Sequence, residues 1–248
     1  MHLFRLPGIV AGFSERTDGS LNFLDRPAAG QRLLWESLAV VAPLGLTPPR
    51  FATQVHQTRV LTVTDASPAG HQGEGDALLT ALPGQPVGVF TADCLPVLIA
   101  AGPAVMAVHA GWKGTRQDIT GKAVAALHAA SGVPPVDMQV LMGPCIGSCC
   151  LELGDEVAAA FRANDERDLA CFSRGAAGKW HLDLRGLNVI QCLERGVPRA
   201  HIRHVHDCTR CLPDRYFSYR QMRGRNGTQF SFIALLPAAG GPPPARGS

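Results

Sequence analysis

Nowhere in the 248 residues does an apolar run approach the roughly 20 residues that cross a bilayer, so a transmembrane helix is not expected. The opening MHLFRLPGIVAGFSERTDGS breaks its short apolar patch with Pro7, Gly8 and Gly12. It lacks the long apolar core of a signal peptide, and a cytoplasmic protein is expected. Long Lys/Arg runs are missing and the net charge is only +3, too small to argue for nucleic acid. A local basic pocket for an anionic substrate would leave no mark on that number. No linker interrupts the middle of the chain and no internal repeat is found, so one domain over residues 1–237 is expected. Residues 238–248, rich in Pro and Gly without periodicity, are expected to be disordered. A chain with 46% hydrophobic and 17% charged residues needs no covalent staples. In a reducing compartment its eight cysteines are expected as thiols or metal ligands rather than a disulfide framework.

What is present centres on residues 87–115, VGVFTADCLPVLIAAGPAVMAVHAGWKGT. Three β-rich runs, VGVFTA, PVLIAA and AVMAVHA, are continuous enough to be buried on both faces. They are separated by only a few residues, so where they pair with one another they must run antiparallel. Other strands are expected at 8–13, RVLTVTDA, HQGEGDALLT, VDMQVLMGPCIG, HIRHVHDC and GTQFSFIALL. Helices are expected at 31–46, ending near Pro43, and in LGDEVAAAFRAND. A third begins after Thr115 as N-cap, with Asp118 three positions on, and a fourth turns Leu184, Leu187, Ile190 and Leu193 inward. Strands alternating with helices, some strands too close for a helix between them, make an α/β fold with a mixed sheet.

Cys94 and His109 fall at the ends of these runs, and His56 lies at the edge of another strand-like segment. Two imidazoles and a thiolate on rigid elements make a three-ligand zinc site with one position open for water. Zinc so held lowers the pKa of that water toward neutrality. The bland alternative is strong, because Cys and His on apolar strands are often simply buried. A rival chemistry makes Cys94 a thiolate nucleophile with His109 as its base. Asp76 and Asp93 are candidates for proton transfer or for orienting a ligand histidine. The turn before the helix, with Lys113 and Arg116, suits an anion such as phosphate, and Arg220 is a further candidate. Two other groups are weaker. CIGSCC (145–150) and CTRC (208–211) hold two cysteine pairs whose separation argues for free thiols over structural zinc. The single H-x-H pattern, His204 and His206, falls short of the several such motifs a multicopper oxidase needs.

TADCLPVL, AVHAGWKGT, GPCIGSCCLELGDEV, DLRGLNVIQCL and DCTRCLPDRYFSYR stand here in the order found in the YfiH/YlmD proteins, once called the multicopper polyphenol oxidase family. The chain resembles that family from about Gln54 to Arg220. The resemblance implies a three-layer α/β/α fold with a mixed sheet, related to cysteine hydrolases, and a zinc site at His56, Cys94 and His109. It also implies phosphorolysis of adenosine, inosine and methylthioadenosine, with adenosine deamination in some members. Another branch implies peptidoglycan editing by removal of L-serine from a UDP-linked precursor. The laccase label implies copper, which the histidine count makes the lesser expectation beside zinc. The expected partners are a nucleoside and phosphate, with neither nucleic acid nor membrane, for a monomer or small homo-oligomer. Gln221 and Gln229 occupy positions where the resemblance leads one to expect arginine, with Arg220, Arg223 or Arg225 as substitutes.

Overall fold

The computed structural model describes residues 1–24, 27–162, 170–175, 178–222 and 227–237. The chain opens with a hairpin, β1 (His2–Leu6) and β2 (Ile9–Phe13), and then forms α1 (Ala28–Glu36). Four short strands follow: β3 (Phe51–Thr53), β4 (Val60–Val63), β5 (His71–Glu74) and β6 (Ala77–Thr80). Next come the long apolar strands β7 (Val87–Thr91), β8 (Leu95–Ala101) and β9 (Ala104–Ala110), every residue of which is buried. Two helices, α2 (Trp112–Arg116) and α3 (Ile119–Ser131), lead to β10 (Gln139–Met142), β11 (Glu152–Leu153) and α4 (Asp155–Arg162). The last part contains β12 (Phe172–Arg174), β13 (Trp180–Leu182), α5 (Leu184–Glu194), β14 (Ile202–His204), α6 (Tyr219–Met222) and β15 (Gln229–Leu235).

Two sheets carry the architecture. One is mixed, in the order β14-β10-β8-β9-β6-β4, and the other antiparallel, in the order β1-β2-β15-β7. They stack through Phe13, Val89 and Ile233 on one side and Leu98, Ala107 and Leu141 on the other. The outer face of the six-stranded sheet is covered by α3 and α5 through Ile119, Val124, Leu127 and Leu187. The outer face of the four-stranded sheet is covered by α1 and the segment after it, with Trp35 edge-on to Phe230 and Phe232. Each such fully buried side chain contributes about 1.5–3 kcal/mol by leaving water. The α/β class with mixed pairing holds, and the β layer between the helices is two sheets thick. β2, the second arm of the opening hairpin, and β15 are neighbours in one sheet.

Several local expectations change. The strand at 8–13 is the second arm of a hairpin, paired residue by residue with His2–Leu6. The first helix stops at Glu36, and residues 42–44 form a separate 3-10 turn. β8 and β9 pair antiparallel, whereas β7 crosses to the other sheet and pairs with β15. Thr115 is not an N-cap: it is buried inside α2, where Asn188 donates to its hydroxyl at 3.0 Å. Gln191 donates to its carbonyl at 2.6 Å and accepts the Thr120 amide at 3.2 Å, so α5 satisfies the backbone where α2 breaks from α3. Leu193 is exposed and Ile190 only half-buried; Asn188, Gln191 and Cys192 take the inward positions of α5. Residues 238–248, the expected disordered tail, lie outside the described residues. No described helix is long and apolar enough to cross a membrane.

Candidate metal centre and cavity

The antiparallel register of β6 against β9 sets the site. Ala77 opposes Val108, so the residue before β6, Asp76, meets the histidine at the end of β9, and His109 donates its amide to the Asp76 carbonyl at 2.7 Å. The Asp76 side chain is fully buried and accepts several donors. His109 Nδ1 lies 2.8 Å from Oδ1, and the amides of His56 and Gln57 donate at 2.9 and 2.8 Å, with Val55 at 3.3 Å. Those amides belong to the turn after β3, where His56 takes the left-handed conformation with φ of 58°. Such a backbone costs a non-glycine residue about 1–2 kcal/mol, and the hydrogen bonds to Asp76 hold it.

Cys94 stands where the chain steps from β7 in one sheet to β8 in the other. The preceding residue, Asp93, also has a positive φ of 96° and has both carboxylate oxygens engaged. Thr209 donates its hydroxyl at 2.6 Å to one, and the Arg220 amide donates at 2.7 Å to the other. Cys94 Sγ is 3.9 Å from His56 Nε2, and the ligand atoms of His56, Cys94 and His109 all lie within 4.8 Å of one another. Gly111 leaves the space between them clear: a Cβ there would stand 2.9 Å from His56 Cδ2 and 3.0 Å from Cys94 Sγ.

Burial raises the Cys94 thiol, but the charge of His109 and hydrogen bonds from both histidines outweigh it and bring the pKa down to about 6. Burial lowers His109, but the Cys94 thiolate and the Asp76 carboxylate outweigh that and raise it to about 9. Asp76 is held below the ordinary carboxylate value despite its burial, by the His109 and backbone hydrogen bonds. With Nδ1 of His109 bound to Asp76, its Nε2 is the ring nitrogen left to face Cys94. Bonds of about 2.0–2.3 Å in a tetrahedron put ligand atoms roughly 3.3–3.8 Å apart, close to the separations found, so the donors fit a metal ion.

These three residues lie in a cavity of about 660 Å³, with Phe90, Trp112, Ile146, Leu151 and Leu184 on its apolar walls. Lys113, Tyr219 and Arg220 also line it. Lys113 is exposed, its ammonium 5.6 Å from the Trp112 ring centre. Arg220 spends two N–H groups on the Glu152 carbonyl, at 3.2 and 3.1 Å. The structure thus brings His56, Cys94, His109, Asp93, Lys113 and Arg220 to one cavity, with Asp76 packed behind two of them and Arg116 outside the lining. Gln229 is buried and exchanges two hydrogen bonds of 3.1 Å with the backbone of Phe217, a pinning role rather than an anion-binding one. Gln221 is exposed at the end of α6. Arg223 and Arg225 lie outside the described residues.

Sequence spacing did not single out Phe90, Tyr219 or Thr209, whose places depend on loops far apart in the chain. It also argued against the meeting of Cys149, Cys150, Cys208 and Cys211, whose sulfurs all lie within 4.8 Å of one another. His204 and His206 do sit together, ring centres 5.3 Å apart. They have no third donor of metal-ligand type in their group among the described residues. Burial and then Arg199 push His204 down to about 4, leaving it neutral.

Stacked mixed and antiparallel sheets, with a histidine–cysteine–histidine cluster where the chain crosses between them, define an α/β protein built around a candidate metal centre. The chain belongs to the family described as multi-copper polyphenol oxidoreductase laccase, whose profile matches residues 6–236. It is 34% identical over 239 residues to a protein of Xylella fastidiosa named purine nucleoside phosphorylase, covering 93% of this chain and 88% of that one. It is 36% identical over 218 residues to adenosine deaminase RL5 from an unknown prokaryote, covering 82% and 81%. The crystal structure of the hypothetical protein YfiH of Bacillus licheniformis superposes with a TM-score of 0.82 at 28% identity, covering 92% of each chain.

Proposed function

We propose that this chain is a zinc-dependent purine nucleoside phosphorylase that also deaminates adenosine. The observation that carries the proposal is the convergence of His56, Cys94 and His109 in an open, aromatic-walled cavity. The names of the relatives supply the substrate class. When bound by these three donors, a zinc ion supplies a Lewis acid at neutral pH.

The chain's own residues do the rest. Asp76 accepts a hydrogen bond from Nδ1–H of His109 and so leaves Nε2 as the ring nitrogen that faces Cys94 and His56 and would hold the ion. Phe90, Trp112 and Tyr219 line the cavity that a planar base would enter, and a stacking contact with such a ring is worth about 0.5–1.5 kcal/mol beyond the area it buries. Lys113 and Arg220 give phosphate two cationic partners at the cavity. In phosphorolysis a phosphate oxygen bonds to ribose C1′ as the C1′–N9 bond breaks and its electron pair leaves with the purine. In deamination water adds at C6 and ammonia leaves. Asp93, held by Thr209 and the Arg220 amide, keeps Cys94 and the arginine in one arrangement.

The family description names copper, and blue-copper centres also use two histidines and a cysteine, with an axial methionine. Here no methionine lines the cavity among the described residues, and three donors facing open space suit zinc with an exchangeable position. The test is chromatography of adenosine incubated with the purified protein, with and without phosphate, alongside metal analysis. Adenine formed only with phosphate, and inosine in either tube, are the expected products. Unchanged adenosine in both tubes with zinc bound overturns the nucleoside reading. Stoichiometric zinc retained in Cys94→Ala overturns the ligand set.

A further inference from the structure

We propose that Cys149, Cys150, Cys208 and Cys211 form a second metal site, a tetrathiolate that takes one zinc ion and fastens two loops together behind the cavity. The topology builds it. β10 and β14 are parallel neighbours, and the loop leaving the C-terminal end of each carries one cysteine pair. A bridge between Cys145 and Cys208 prolongs that parallel pairing into the loops, bringing residues 149–150 beside 208–211.

The sulfur geometry is that of a site rather than of a disulfide. Cys211 Sγ stands 3.4 Å from Cys150 and 3.7 Å from Cys149, and all four sulfurs are within 4.8 Å of one another. Four bonds of about 2.3 Å in a tetrahedron separate sulfurs by about 3.8 Å. A disulfide joins two sulfurs at about 2.05 Å, well inside any of these separations, and would pair Cys211 with only one of its two neighbours. Cys208 and Cys211 also have the C-x-x-C spacing of a zinc half-site. The Gly147 amide donates to Cys208 Sγ at 3.2 Å, an N–H···S bond that stabilises a thiolate without competing for its metal-facing lone pairs. Gly147 keeps the approach open, since a Cβ there would stand 3.2 Å from Cys149 Sγ. Cys149 and Cys211 are exposed, which gives an ion a path in, and Cys150 is buried. Four thiolates with no imidazole select a soft, tetrahedral cation, and their protons leave to solvent as it binds.

The consequence for the molecule lies in Thr209. Held between Cys208 and Cys211, it donates its hydroxyl to Asp93, next to Cys94, and the Ile146 amide donates to the Asp93 carbonyl at 2.9 Å. The thiolate site thus braces both loops that hold Asp93, independently of the reaction the cavity performs.

The test uses the full chain purified under reducing conditions, with zinc counted per chain by mass spectrometry. The double substitution Cys208→Ser/Cys211→Ser is expected to lose one equivalent, and Cys94→Ser to retain that equivalent whatever becomes of the cavity ion. In the wild-type chain, added zinc is expected to protect Cys149, Cys150, Cys208 and Cys211 from alkylation in a peptide map, with a chelator restoring their reaction. Cobalt in place of zinc is expected to give charge-transfer bands of four-thiolate intensity in Cys94→Ser. Unchanged zinc content in the double variant, equal alkylation with zinc and with chelator, or a mapped disulfide among the four overturns the site.

Discussion

Asp76 is a single carboxylate on which both histidines of the candidate centre depend, one through its ring and the other through its backbone. Asp76→Asn keeps the shape but turns an NH2 group toward an N–H donor. It is expected to cost about 1–3 kcal/mol of stability and about 10–100-fold in metal affinity, read by thermal unfolding and by competition with a chromophoric chelator. The Cys94 thiol gives a pH test on metal-free protein. Because its pKa is lowered to about 6, the thiolate exists above that pH and not below it. Iodoacetamide labelling of Cys94 should therefore rise through about pH 6 and level off by pH 7, whereas an ordinary thiol near 8.5 would still be climbing. Labelling that rises only above pH 8 would show that the charged His109 partner is not there.

At the scale of elements, β15 is locked between its neighbours by rings lying over glycines. Phe232 covers Gly12 of β2, and Phe230 covers Gly88 of β7. Gly88→Val is expected to force the Phe230 ring aside and cost roughly 1–3 kcal/mol, measured by denaturant unfolding at unchanged m-value. These long strands were legible because residues buried on both faces spell continuous apolar runs. The short strand Phe172–Arg174 carried no such signal, being too brief and too exposed for a period to register. The break between α2 and α3 was hidden because its backbone groups are satisfied by Gln191, more than seventy residues away. At the site, His56, Cys94 and His109 were legible as polar residues at the ends of apolar runs. The four-cysteine cluster was not, because only the parallel pairing of β10 with β14 brings its halves together.

For the whole molecule, the two proposed metal sites sit on either side of Asp93. Their donors come together only in the fold, so ions there favour the folded state and their occupancy adds to stability by mass action. Each ion at about 100 times its Kd adds about 2.7 kcal/mol, and a chain this long shifts Tm by about 2–4 °C per kcal/mol. Chelation of both ions is expected to lower Tm by roughly 10–20 °C in scanning calorimetry, and zinc, once restored, to recover it. The placing of β15 has a different kind of consequence. It lies inside the four-stranded sheet, between β2 and β7, and Gln229 at its start pins Phe217 beside α6. While the ribosome is still making the chain, the hairpin at its beginning has no sheet to join and β7, which leads into Cys94, has no edge partner. The cavity is therefore completed only once β15 has been made and has joined the sheet, and a premature stop within the codons of β15 takes the shared partner from both β2 and β7.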